Sequence, residues 1–345
     1  MAYRAGIAGG SGYTGAELLR LLAGHPDVDV VHVTADSNAG AAVAGLYPSL
    51  AAAYPGLEYA AFDAGAFAGL DVVFLGLPHG ESQRVAGDLV AAADHVVDLG
   101  ADFRLPAPVY EQWYGQAHSA PELLDRFAFG LPELFGDDVR AADHVAAPGC
   151  YPTATSLALA PLLAAGLVEP EGLVVDAMSG ISGRGRGLSA PSLFAEADEN
   201  VNAYGLLTHR HTGEIEFALG RAAGTPVQVL FTPHLVPMTR GLLATCHARP
   251  ARDGLSTAAL LEAQRDCYAD APFVTVLDDP PSTKATLGSN SAQVTARFDP
   301  RTGGVLAFGA LDNLGKGASG QALQCANLLL GLPETTGLAT VGLMP

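Results

Sequence analysis

Tyr3-Arg4-Ala5-Gly6-Ile7-Ala8-Gly9-Gly10-Ser11-Gly12-Tyr13-Thr14-Gly15 is a short apolar run that breaks into glycines and leads into the helix-forming segment 16–22. Strand, glycine loop and helix in that order make the first turn of a βα unit. The spacing of Gly9, Gly12 and Gly15 serves three needs in turn, which are a tight turn, close approach of backbone to a pyrophosphate, and close packing of helix on strand. The same spacing also suits a glycine-rich packing turn. Its place as the first βα turn of the chain favours a dinucleotide site with contacts at Gly9, Ser11, Gly12, Tyr13 and Thr14.

The segments that follow repeat the alternation. A strand at 28–34 ends at Asp36-Ser37-Asn38, where such folds meet the adenosine ribose. Asp36 suits a free 2′-hydroxyl, as in NAD, whereas Ser37 and Asn38 can donate to the 2′-phosphate of NADP, and the residues leave both open. The apolar run 70–75 ends in Gly76-Leu77-Pro78-His79-Gly80, a helical segment reaches residue 93, and 96–99 is a further strand. Short apolar strands alternating with helices predict a parallel, doubly wound sheet. At the end of the last of these strands, Asp102 and Arg104 either face a ligand or shape the loop as an ion pair.

Ala147-Pro148-Gly149-Cys150-Tyr151-Pro152-Thr153 then places a thiol where a turn becomes the Ala- and Leu-rich helix 153–165, stopped by Gly166. A helix N-terminus favours an anion, and the thiolate is the form of cysteine that attacks carbonyls. Free cysteines are also common as small buried hydrophobes, which is the reading for Cys246, Cys267 and Cys325. Pro148, Gly149 and Pro152 force a turn around Cys150 and set it apart as a candidate nucleophile.

Beyond it, a strand at 173–178 delivers Ser179-Gly180-Ile181-Ser182-Gly183-Arg184-Gly185-Arg186, which is either an anion-binding loop or a solvated one. His209-Arg210-His211-Thr212-Gly213-Glu214 precedes a helix to residue 223, with Thr212 as the expected N-cap. His211 just outside that terminus is disfavoured as imidazolium and suits acid/base work. A structural role and a metal site remain alternatives, the latter lacking a third ligand nearby. Segments 227–235 and 241–247 read as paired strands joined through Arg240, whose fork can clamp a carboxylate or phosphate. A helix at 256–268 and strands at 273–277, 291–298 and 305–310 complete a second sheet. Asp312-Asn313-Leu314-Gly315-Lys316-Gly317 opens a last helix reaching residue 330.

The chain has 345 residues, 49% of them hydrophobic, enough for two domains and a substantial core. Eighteen Lys and Arg against 36 Asp and Glu give a net charge of −18, which argues against nucleic acid and anionic membranes as partners. Four cysteines without a CxxC pair argue against zinc or a disulfide framework. With no signal pattern and no apolar run of membrane-spanning length, a reducing cytoplasm is expected.

Pro148-Gly149-Cys150-Tyr151-Pro152-Thr153-Ala154, His209-Arg210-His211-Thr212-x-Glu214-Ile215, Arg240-Gly241 and Asp312-Asn313-Leu314-x-Lys316-Gly317 together resemble the N-acetyl-gamma-glutamyl-phosphate reductases of arginine biosynthesis. The resemblance implies the aspartate-semialdehyde-dehydrogenase-like architecture: an α/β, Rossmann-type dinucleotide-binding domain (1–149 and 312–345), plus an α+β catalytic and oligomerisation domain (150–311) with a mixed, largely antiparallel sheet. It implies Cys150 as nucleophile and His211 as acid/base partner, with no metal. Substrate contacts are then expected at Ser179, Ser182, His209, Glu214 and Arg240. Cofactor contacts extend to Ser37, Pro78, Gly183, Asn313 and Lys316. NADP is the implied cofactor, with NAD kept open because Asp36 stands where many members have arginine. A small acyl phosphate is the implied substrate, and a homodimer or homotetramer the implied assembly. Relatives acting on aminoadipyl phosphate carry Asn-Ala after the cysteine, where this chain has Tyr151-Pro152, which favours the glutamyl substrate. Aspartyl phosphate as substrate, or a dinucleotide sensor without turnover, are the alternatives.

Overall fold

The computed structural model describes residues 2–345, which form two compact units, 2–148 with 318–338 and 149–317 with 339–345. The expected boundary at residue 312 therefore shifts: the chain stays in the second unit through Gly317, and residues 339–345 belong there too.

The first unit runs β1 (Tyr3–Ala8), α1 (Tyr13–Leu22), β2 (Val28–Thr34), α2 (Val43–Leu46), β3 (Val72–Leu75), α3 (Ser82–Ala92), β4 (His95–Asp98), α4 (Ala107–Tyr114), β5 (Phe127–Phe129), α5 (Pro132–Ala141) and β6 (His144–Ala146). The strands make one sheet in the order β2-β1-β3-β4-β6-β5, all parallel. Parallel strands are covered on both faces, which is why β3 is buried along its whole length. Phe67, Leu70, Leu75, Leu89 and Phe103 are among the residues packed in one of its cores. After β1 the chain turns first to β2 and then crosses to β3, so the topological switch point, where such sheets bind ligands, lies between the ends of β1 and β3.

The second unit contains α6 (Cys150–Ala164), β7 (Leu173–Gly180), α7 (Phe194–Ala197), β8 (Asn202–Ala203), α8 (His211–Ala223), β9 (Val229–Val236), β10 (Leu242–Ala248), α9 (Thr257–Cys267), β11 (Val274–Val276), β12 (Ala292–Asp299) and β13 (Gly304–Leu311). The last helix, α10 (Gly320–Leu329), returns to the first unit. The sheet order is β11-β12-β13-β10-β7-β9-β8, mixed and largely antiparallel. One expectation fails here: β9 and β10 do not pair. Strand β7 lies between them, parallel to β9 and antiparallel to β10. The link 237–241 instead bonds to the end of β7, through Gly180 N–H to Gly241 O and Ile181 N–H to Met238 O.

Helix α6 is buried from Tyr151 to Leu163 on every side, as its predominantly apolar sequence, broken by Thr153, Thr155 and Ser156, allows. Its backbone lies against β13, where a Cβ at Gly309 would collide with the Ala154 carbonyl. Pro161 inside the helix cannot donate to the carbonyl of Leu157. The hydroxyl of Tyr268, just past α9, donates to that carbonyl at 2.7 Å in its place. Cys246 and Cys325 are buried as expected; Cys267 is exposed, because the last turn of α9 carries it away from the core.

Candidate active site

In the first unit, Gly9 has φ +83°, and a Cβ there would lie 2.6 Å from the Gly76 carbonyl oxygen at the end of β3. Gly9 and Gly10 both donate to Thr34 O at the end of β2, which holds the loop closed. At Gly15 a Cβ would meet Gly10 Cα at 2.5 Å, so α1 rests directly on the loop. Gly12 caps α1 without a side chain, and the first amides of a helix have no intrahelical acceptor. A backbone cradle that a Cβ would fill, at a helix N-terminus and a switch point, fits a pyrophosphate. Nearby, Tyr47 donates its hydroxyl to Ser11 O at 2.9 Å, and Asn38 Nδ2 donates to Ser11 Oγ at 3.1 Å. Asp36 and Ser37 are exposed beside them, Tyr13 and Pro78 are also exposed, and Thr14 O accepts from Ser319 Oγ.

Asp102 is a structural residue. Its carboxylate accepts from the Gly80 and Gln83 amides at 2.8–3.1 Å and from the Tyr110 hydroxyl at 3.1 Å, fixing the turn after Pro78. Arg104 Nη2 donates to Leu99 O at 2.8 Å. Asp98, fully buried, accepts from Ser82 Oγ and Gly100 N through one oxygen and leaves the other unpartnered. Burial raises its pKa to about 7.

In the second unit, Cys150 is the first residue of α6 and is half-buried, unlike Cys246 and Cys325. A Cβ at Gly317 would lie 2.7 Å from Cys150 Cβ, so only glycine lets the 312–317 loop approach Cys150 this closely. His211 is the first residue of α8 rather than a residue outside it, and Thr212 is not the cap. The acceptor is Nδ1 of His209, which takes the His211 amide at 3.2 Å. That requires a neutral ring at His209, and burial, aided by the neighbouring His211, lowers its pKa to about 3.

Tyr151, for which the sequence offered no role beyond its place in the motif, is the platform for both histidines. Its ring lies edge-on to His209 at 5.7 Å and to His211 at 5.8 Å. Its hydroxyl donates to His234 O at 3.1 Å and receives the Tyr204 hydroxyl at 3.2 Å. Burial raises the pKa of both phenols, Tyr204 to about 12, so both remain donors.

The other motif residues converge on the ends of β7, β10 and β13. Arg240 Nε donates to both oxygens of fully buried Asp312 at 2.9 and 3.1 Å. That carboxylate also takes the amides of Gly288, Leu314 and Gly315. Asn313 ties Gly241 N–H to the Ser182 hydroxyl through its two amide atoms. Ser179 lies at the end of β7 and Gly183 in the turn beyond. Lys316, expected as a cofactor contact, is instead buried with its ammonium 5.5 Å from the Phe273 ring centre. Glu214, expected at the substrate, accepts the Gly149 amide at 2.6 Å. No cluster of three metal-ligating side chains occurs among the described residues.

Comparison with known proteins agrees with this geometry. Residues 4–142 match the NAD binding domain of semialdehyde dehydrogenase and residues 150–313 its dimerisation domain. The chain is 49% identical to the N-acetyl-gamma-glutamyl-phosphate reductase of Symbiobacterium thermophilum and 50% identical to that of Desulforudis audaxviator, in each case over 99% of both chains. The chain belongs to the N-acetyl-gamma-glutamyl-phosphate reductase family. In fold it also resembles aspartate semialdehyde dehydrogenase II of Vibrio cholerae complexed with ASA (TM-score 0.72, 17% identity, 96% of this chain and 99% of that one). The aspartate semialdehyde dehydrogenase of Candida albicans with NADP gives a TM-score of 0.70 at 17% identity over 96% and 99%. One of the two matched domains falls in each unit, and the glycine cradle lies within the residues that match the NAD binding domain. No helix among the described residues is long and apolar enough to cross a membrane.

Proposed function

We propose that the protein reduces N-acetyl-gamma-glutamyl phosphate to N-acetylglutamate 5-semialdehyde and phosphate with NADPH, through a thioester on Cys150. The observation that carries the reading is the pairing of Cys150 and His211 at two helix N-termini joined by the Glu214–Gly149 bond, with Arg240 held by Asp312 in the same unit. Close relatives along the full chain bear the name of that activity.

The Sγ of Cys150 forms a bond to the acyl carbon while the carbon–oxygen bond to phosphate breaks, and phosphate leaves with the electron pair. When bound, NADPH would supply the hydride that this carbon accepts, and in the first unit Gly9, Ser11, Gly12, Tyr13, Thr14, Ser37 and Pro78 would hold it. His211 gives a proton to the oxygen of the resulting tetrahedral adduct and recovers it as the carbon–sulfur bond breaks, releasing the aldehyde and restoring Cys150. Arg240, Ser179 and Ser182 orient the anionic substrate, and the guanidinium is held in place beforehand by its carboxylate partner.

The protein works as a homodimer or homotetramer: the dimerisation-domain match covers residues 150–313, and within it Leu188, Leu193, Phe194, Leu206 and Leu207 are exposed. Exposed apolar side chains of this size and number mark an interaction surface. It resides in the cytoplasm, in keeping with four cysteines that form no disulfide among the described residues.

The test is the reverse reaction, phosphate-dependent reduction of NADP by N-acetylglutamate 5-semialdehyde, with NAD and aspartate semialdehyde in parallel. Turnover by the wild type and its loss in Cys150→Ala is the expected result. Retained turnover in that variant, or preference for aspartate semialdehyde, overturns the reading.

A further inference from the structure

The N–H of a helix N-cap residue lies outside the helical ladder. In a capping box a Glu or Gln at the third helical position reaches back to accept it. In α6 the cap is Gly149 and the third helical residue is Pro152, which has no acceptor to offer. The Gly149 N–H is nevertheless satisfied, by Oε1 of Glu214 at 2.6 Å. That carboxylate is 1% exposed and comes from the first turn of α8. Glu214 stands three residues after His211, so the two side chains share a face of that helix. A short bond from a backbone N–H to a carboxylate is charge-assisted and among the stronger ones in proteins.

We infer that Glu214 is a positioning residue: it supplies from α8 the cap that Pro152 denies to α6, and so fixes the spacing of Cys150 and His211. The inference rests on the roles proposed above for those two residues. The chemistry of the substrate points the same way. An N-acetylated acyl phosphate carries a carboxylate and a phosphate but no ammonium, so a buried carboxylate has no cation on it to recognise. At Oε1, Glu214 engages the protein's own backbone. The charge itself opposes a thiolate one residue away, and reach rather than charge is the property the site uses.

Two substitutions separate reach from charge. Glu214→Gln keeps the length and an acceptor oxygen, whereas Glu214→Asp keeps the charge and is one methylene short of the Gly149 amide. Steady-state kinetics of the reverse reaction are measured for both, together with hydrogen–deuterium exchange of the peptide spanning 147–153. Its two prolines leave few exchanging amides, Gly149 among them. The expected result is a fall in kcat of about 100-fold for Glu214→Asp, the scale of a misplacement near 1 Å, with KM within about threefold of wild type. Glu214→Gln stays within about tenfold of wild-type kcat and keeps the slow exchange, which Glu214→Asp loses. A KM rise without a kcat change in either variant overturns the inference in favour of a substrate contact. So does Glu214→Gln being the worse of the two, which makes charge the working property. If the wild type itself fails to turn over, the reaction assignment falls, while the exchange pattern alone still decides the clamp.

Discussion

Replacing Tyr268 by Phe removes one oxygen from the second unit, and its cost follows from a proline in the helix that Cys150 begins. Pro161 leaves the carbonyl of fully buried Leu157 without its helical donor, and the Tyr268 hydroxyl, itself nearly buried, fills the gap at 2.7 Å. Without that hydroxyl a buried carbonyl is unsatisfied, a loss of about 1–3 kcal/mol. For a unit of this size the melting temperature should fall by about 2–4 °C per kcal/mol. Pro161→Ala supplies the control, since alanine at that position regains an N–H aimed at the same carbonyl. In the Tyr268→Phe background, Pro161→Ala should return most of the lost stability, although alone it gains little. Urea unfolding of the four proteins gives the coupling energy, expected at about 1 kcal/mol or more. A Tyr268→Phe variant within about 0.3 kcal/mol of wild type, or a strictly additive double variant, refutes the reasoning.

Other outcomes follow from the site. Asp98 has a raised pKa near 7, against a lower value in the unfolded chain, so the folded state holds the extra proton. The associated stability is present at low pH and is lost as pH rises through about 7. Urea unfolding of wild type against Asp98→Asn, which mimics the protonated acid, should therefore show wild type losing about 3 kcal/mol relative to the variant between pH 5 and 8; parallel curves contradict this. His209→Phe keeps the ring packing and removes the acceptor of the His211 amide. It should cost about 1 kcal/mol of stability, the scale of a lost cap, and lower kcat more than it raises KM in the reverse assay. Asp312→Asn breaks the buried pair with Arg240 and should destabilise by about 3–5 kcal/mol in the same unfolding experiment. Arg240→Lys should fold, yet raise the KM for phosphate or semialdehyde about tenfold.

The parts of the molecule written in short-range pattern were readable from the chain. Gly9 and Gly15 follow a strand because a loop of that kind needs glycine where φ is positive, as at Gly9, and where a helix lies on it, as at Gly15. Cys150 was readable as a helix start because the turn-forming Pro148-Gly149 precedes a long Ala- and Leu-rich run. What was not readable depends on distant partners. The short link through Pro237 looks like a hairpin, and only the sheet shows that β7, drawn from far upstream, enters between β9 and β10. From the sequence Glu214 is a first-turn acid and an expected substrate contact, since its acceptor role requires the Gly149 amide, 65 residues away. His209 reads as a substrate contact, and its acceptance of the His211 amide depends on the fold. The outward face of Cys267 and the interior place of Lys316 each turn on a neighbour that no local pattern specifies.

Thioester formation on Cys150 is tested by mixing the enzyme with N-acetyl-gamma-glutamyl phosphate in the absence of nicotinamide, quenching in acid and mapping the peptides by mass spectrometry. Phosphate should be released in proportion to enzyme and the N-acetylglutamyl group found on the peptide carrying Cys150, with neither event in Cys150→Ala. An unmodified Cys150 in an enzyme that turns over the same substrate once NADPH is added would contradict it.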